Sequence, residues 1–247
     1  MSQSDPSSTN NTFNISGSTI TYFTGSGSIH YNEAIPKAEN QNAQVINQQT
    51  IPESNSSRMS VVKTILFLAA NPKETSQLRL QKEVREIDAG LQRSKLRDRF
   101  LLEQRWAVRS RDVQRAMLDF SPQIVHFSGY GGGEEGLVLE DETGNIKFVD
   151  KDALAGLFEL FSEQVECVIL NACYSKTQAK AISCHVPYVI GMNKAIGNNA
   201  AIEFAVGFYD ALGAGKPIEF AYKFGCSSIR MAGIEEHLTP ILEKKSS

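Results

Sequence analysis

From residue 61 onward, two hydrophobic periods alternate along the chain. Apolar runs at 61–70, 124–128, 165–170 and 188–192, bounded by turn residues, predict buried strands, and residues 100–108 read as a further strand. Between them the period lengthens. Leu78, Leu80, Val84, Ile87 and Leu91 recur at helical spacing within a strongly charged stretch, as do Val113, Ala116 and Met117 in a helix over 111–120. Asp150 can cap a helix running through Leu154, Leu157 and Leu160. Further helices are expected from about Lys176, from Asn198 to Leu212, and from Lys216-Pro217 to about Met231. Residues 136–141 and 146–149, joined by 142–145, predict a β-hairpin. Repeated strand–helix units of this length imply an α/β sandwich with a central, mainly parallel sheet flanked by helices.

The first 58 residues follow another pattern. They hold only six charged side chains (Asp5, Glu33, Lys37, Glu39, Glu53, Arg58) and are dominated by Ser, Thr, Asn and Gln. A boundary is expected near 57–61. Residues 34–58 contain too few large apolar side chains to offset chain entropy and read as a disordered linker. Residues 1–33 form a β-prone tail, in which Phe13, Ile15, Ile20, Tyr22, Phe23, Ile29 and Tyr31 alternate with polar residues. Two readings of this tail stand: a polar segment or small hairpin, or a self-assembling motif whose uncharged strands stack as cross-β through residues 12–31, giving a homo-oligomer or fibril. In composition and spacing it resembles the short amyloid-forming signalling motifs at the termini of some bacterial and fungal immune receptors and effectors.

Composition narrows the classes. The 247 residues carry a formal net charge of −3, which argues against bulk nucleic-acid binding, and no apolar run approaches a membrane span or a secretory signal. A cytoplasmic protein is expected, with no membrane and no nucleic acid among its partners. Cys167, Cys173, Cys184 and Cys226 form no C-x-x-C pair, so they read as reduced thiols and no metal is expected. Gly129 to Glu134 and Leu212 to Pro217 imitate nucleotide loops, but the first leads into a hairpin and the second has Pro217 where a hydroxyl residue is needed, so no cofactor is expected. The basic stretch 79–115 is interleaved with Glu83, Glu86, Asp88, Asp98 and Glu103 and reads as a solvated helical face.

In open α/β sheets chemistry collects at the carboxyl ends of adjacent strands. Two ends stand out: His126-Phe127-Ser128-Gly129-Tyr130-Gly131 and Leu170-Asn171-Ala172-Cys173-Tyr174-Ser175. If their strands neighbour each other, Tyr130 and Cys173 come together. With Ala70-Asn71-Pro72, Val186-Pro187-Tyr188-Val189-Ile190-Gly191-Met192 and the run from Ala205 to Leu212, these blocks resemble the CHAT domain, a caspase-like fold related to metacaspases, paracaspases and separases. The resemblance spans about 61–240, and the domain is placed at 59–243. It implies a cysteine peptidase with Cys173 as nucleophile, the amides of Gly131 and Cys173 as oxyanion donors, and a peptide or protein substrate. Active members read His-Phe-Ser-Gly-His-Gly; here Tyr130 stands where the second His, the base, belongs.

That departure governs the expected function. Neutral Tyr, with a pKa of about 10, accepts a proton from a thiol poorly and cannot return one to a leaving amine. Loss of a triad base removes several powers of ten in rate, on the order of 4–8 kcal/mol of barrier. A pseudoprotease serving as a signalling or immune effector, regulator or adaptor is therefore one expectation; an active cysteine endopeptidase triggered by clustering of tails is the other. His126 is expected to fill the core or to support the active-site loop through a hydrogen bond, with a surrogate base as its sharper reading. His185 and His237 read as structural or solvated. Glu140 and Asp141, ending a hairpin strand, are either a solvated turn or an acidic lining for a substrate pocket.

Overall fold

The computed structural model describes residues 62–246 and two short upstream strands, β1 (Asn11–Ile15) and β2 (Ser18–Tyr22). The upstream strands pair antiparallel, Asn11 with Tyr22 and Ile15 with Ser18, where period-two alternation predicted β structure. The linker expected over 34–58 lies outside the described residues. The chain divides into compact units at Met1–Ser56 and Ser57–Ser247.

The larger unit is built on a six-stranded sheet. Its strands are β3 (Lys63–Ala69), β4 (Phe100–Trp106), β5 (Ile124–Ser128), β9 (Cys167–Asn171), β10 (Tyr188–Met192) and β11 (Pro240–Lys244), in the order β11-β10-β9-β5-β3-β4. All adjacent pairs are parallel except β10 with β11. A small antiparallel sheet of β6 (Tyr130–Gly131), β7 (Leu137–Glu140) and β8 (Ile146–Val149) includes the expected hairpin.

Alternation along the central strands divides the core. Ile65, Phe67, Ile124, Cys167, Ile169 and Ile190 face α1 (Leu80–Arg93), α5 (Asn198–Gly213) and α6 (Ile218–Met231). Leu66, Leu68, Val125, Phe127, Val168 and Leu170 face α2 (Ser110–Phe120), α3 (Lys151–Leu160) and α4 (Lys176–Ile182). Burial on both faces is why these strands read as continuous apolar runs. Helices α5 and α6 approach closely because Gly207 lacks a side chain: a Cβ there would lie 2.2 Å from Ser228 Oγ. Asp150 caps α3, accepting from the Ala153 amide at 2.8 Å.

Leu160 is 81% exposed, because the spacing that buries Leu154 and Phe158 ends before it. Strand β11 was not anticipated: five residues opening on Pro and ending on charged side chains make a sheet edge with no buried run to announce it.

Candidate active site

Strands β5 and β9 lie side by side, Ser128 opposite Asn171, and the Gly129 amide donates to Asn171 O at 3.3 Å. The two motif-bearing ends therefore open at one place. Beyond β5 the chain turns into β6, where a Cβ at Gly131 would meet Cys173 O at 2.1 Å; only glycine lets these backbones approach so closely. Gly132 N–H donates to Gly136 O at 2.8 Å, so alternation along this antiparallel pair turns the Gly131 amide away from β7, onto the open edge of the small sheet. After β9 the chain bends sharply at Tyr174, a side-chain-bearing residue at φ 54° whose amide donates to Lys194 O at 3.2 Å. Such left-handed backbone costs roughly 1–2 kcal/mol and is held by the loop after β10.

The half-buried Cys173 sulfur is engaged by that loop. Ile196 N–H donates to Sγ at 3.4 Å, and the thiol donates to Ile196 O at 3.7 Å. Tyr130 turns elsewhere. Its hydroxyl donates to the Ser76 carbonyl and lies 2.6 Å from Ser76 Oγ, tying β6 to the loop between β3 and α1. Among the described residues these Ile196 contacts are the hydrogen bonds that Sγ makes, and neither partner is an imidazole. His126 is fully buried in β5, its Nδ1 3.1 Å from Tyr209 Oη. Burial pushes the Tyr209 phenol well above its usual range, so it remains neutral.

A buried carboxylate lies under both strand ends. Glu83 of α1, 3% exposed, accepts from Ser128 Oγ at 2.6 Å and from Asn171 Nδ2 at 2.7 Å, clamping β5 to β9 two residues before each candidate position. His126 Nε2 also lies 3.0 Å from Glu83 Oε1, close enough for an ion pair but not aligned as a hydrogen bond. Asn171 donates further to Ala201 O of α5 at 3.2 Å. The expectation that Glu83 belongs to a solvated face is thus overturned. Its signal was present in the spacing, since position 83 falls on the inward stripe with Leu80, Val84 and Ile87.

The hairpin acids are occupied by backbone. Asp141 accepts from the Thr143 and Asn145 amides at 2.7 and 2.9 Å, which holds its carboxyl below the usual range, the Asn145 amide contributing most. Glu140 Oε1 accepts from the Asn71 amide at 3.1 Å. Among the described residues no group of three or more His, Cys, Asp or Glu is placed to hold a metal ion, and no helix is long and apolar enough to cross a membrane. Burial pushes the Cys226 thiol up to about 11, while Cys184 is exposed and Cys167 is buried in β9.

The chain resembles proteins of known family. A "Probable protease" from Gillisia limnaea is 28% identical over 147 residues, 58% of this chain and 26% of that protein, so the chain spans about a quarter of that relative's length. The X-ray structure of a secreted C11 cysteine protease from Bacteroides thetaiotaomicron, in complex with an irreversible peptide inhibitor, superimposes with a TM-score of 0.55 at 12% identity, over 74% of this chain and 66% of that one. At that identity the likeness establishes the caspase-like fold. The model of the CHAT domain matches residues 28–223, beginning upstream of the boundary expected near 57–61. By that match over most of its length, and by the sheet and strand ends described above, the chain belongs to the CHAT domain family.

Proposed function

We propose that this chain is a catalytically impaired caspase-like protein that binds peptide or protein segments as a signalling or immune effector or regulator. The single observation that carries the reading is the direction of Tyr130, whose hydroxyl is spent on Ser76 while the Cys173 sulfur is held by the Ile196 backbone. A nucleophile acting on an amide needs a base that takes its proton and later delivers one to the leaving nitrogen, and a phenol does neither at neutral pH. Cys173 retains the nucleophile position and Gly131 the oxyanion amide, so a docked peptide is held without efficient cleavage. In this reading residues 1–33 assemble copies of the protein, 34–58 link, 59–243 form the effector domain, and the protein works in the cytoplasm.

A second reading is supported by the same retained thiol and open Gly131 amide: an endopeptidase with nucleophile Cys173, switched on when tails raise local concentration. One experiment separates the two. Wild type, Cys173→Ala and Tyr130→His are treated with a thiol-directed peptide probe and a peptide substrate library. Cleavage appearing only in Tyr130→His supports impairment; cleavage by wild type that vanishes in Cys173→Ala overturns it.

A further inference from the structure

Among the described residues the sheet ends on β4, and the hydrogen bonds determine which of its backbone groups face outward. Ala70 N–H donates to Ser128 O, so the even-numbered residues of β3 turn toward β5 and the odd-numbered ones toward β4. In the parallel register of Phe67 with Gln104, those odd residues are met by Glu103 and Arg105. Phe100, Leu102, Gln104 and Trp106 therefore direct N–H and C=O to the open edge. The Gln104 carbonyl, accordingly, is covered by Arg105's own guanidinium at 2.7 Å. Leu101 and Trp106 are 49% and 40% exposed along the same strand.

From this edge we infer that β4 pairs with β4 of a second copy of the chain, antiparallel about Gln104, joining two sheets across a two-fold axis. The register follows from charge and from parity. Edge-facing residues must meet edge-facing residues, which leaves registers centred on a single residue of the strand. Centred on Gln104, Leu102 and Trp106 exchange backbone hydrogen bonds with their counterparts, and Glu103 sits opposite Arg105 twice, at the closely spaced non-hydrogen-bonded positions. Centred one residue earlier, Glu103 faces Glu103; one residue later, Arg105 faces Arg105. The flanking registers are thus repelled and the central one is drawn together, as a self-complementary two-fold contact requires. In the pair, Arg105 leaves its own Gln104 carbonyl for the partner's Glu103, which frees that carbonyl for the ladder.

The inference stands whether or not Cys173 is active, and its test uses the full chain. Sedimentation velocity is run on wild type, E103R, R105E, and an equimolar mixture of the two variants, with circular dichroism to verify folding. Wild type is expected to dimerise. Each single variant, carrying two like-charge contacts, is expected to dissociate at least about tenfold more readily. The mixture is expected to regain the dimer, because one chain then supplies two arginines and the other two glutamates. Association indifferent to all these changes overturns the inference and points to assembly through residues 12–31. A monomeric wild type overturns it also.

Discussion

At the scale of single residues, the candidate site is a contrast between a tyrosine that turns aside and a glutamate that holds two strands. Tyr130 meets Ser76 at an exposed position, so Tyr130→Phe is expected to cost no more than about 1 kcal/mol in urea denaturation. The same change should leave the pH profile of Cys173 alkylation where it is in wild type; a profile displaced by Tyr130→Phe would show that the phenol acts on the sulfur after all. Glu83 is a different case. Glu83→Ala leaves the Ser128 hydroxyl buried and unpaired and the Asn171 amide with Ala201 O alone, and a loss of roughly 3 kcal/mol is expected from the same denaturation. Glu83→Gln keeps one acceptor oxygen and should lose about half as much. The sequence identified positions 130 and 173 because their motifs end apolar strands. It hid the role of position 83 because a carboxylate among Arg79, Lys82, Arg85, Glu86 and Asp88 reads as solvent-facing until helical phase is weighed above residue type.

At the scale of elements, legibility followed burial. The four strands sandwiched between helices, β3, β5, β9 and β10, were readable from their apolar runs, and the hairpin β7–β8 from period two bounded by turn residues. β11 escaped because this edge strand opens on Pro and buries little. The hairpin also carries a pH dependence. Asp141, with its pKa depressed by amides from Asn145 and Thr143, holds the turn as a carboxylate. A depressed folded-state pKa means that the contribution is fully present above the ordinary carboxylate range, about pH 4, and is lost as pH falls through the lower folded value. Amide exchange at Thr143 and Asn145 should therefore accelerate in acid relative to the other hairpin amides. Asp141→Asn should remove that acceleration, whereas an unchanged acid response in Asp141→Asn would assign it to another group.

At the scale of the whole molecule, one half of the core sets an alkaline limit. Burial pushes the Cys226 thiol up to about 11 and the Tyr222 phenol up to about 12 in α6, and raises Cys167 of β9 and Tyr209 of α5 as well. All four pack with the α1, α5 and α6 side of the sheet. Their sign is common: each folded-state pKa lies above its unfolded value, so the stability it carries is intact below the unfolded pKa and is lost as pH rises toward the folded one. Unfolded thiols ionise near pH 8.5 and phenols near pH 10, which places the decline from about pH 9 upward. Urea midpoints are expected to be level from pH 7 to about 8.5 and to fall steadily to about pH 11.5, with fluorescence and circular dichroism reporting one coincident transition, because the ionising groups lie in a strand and two helices that share one core. Cys226→Ala should make the first part of that decline shallower, where the thiols titrate and the phenols do not, leaving the share that Cys167 carries. Midpoints level through pH 11 would mean that these groups meet solvent before the domain unfolds, and that the α6 side opens on its own instead of with the sheet.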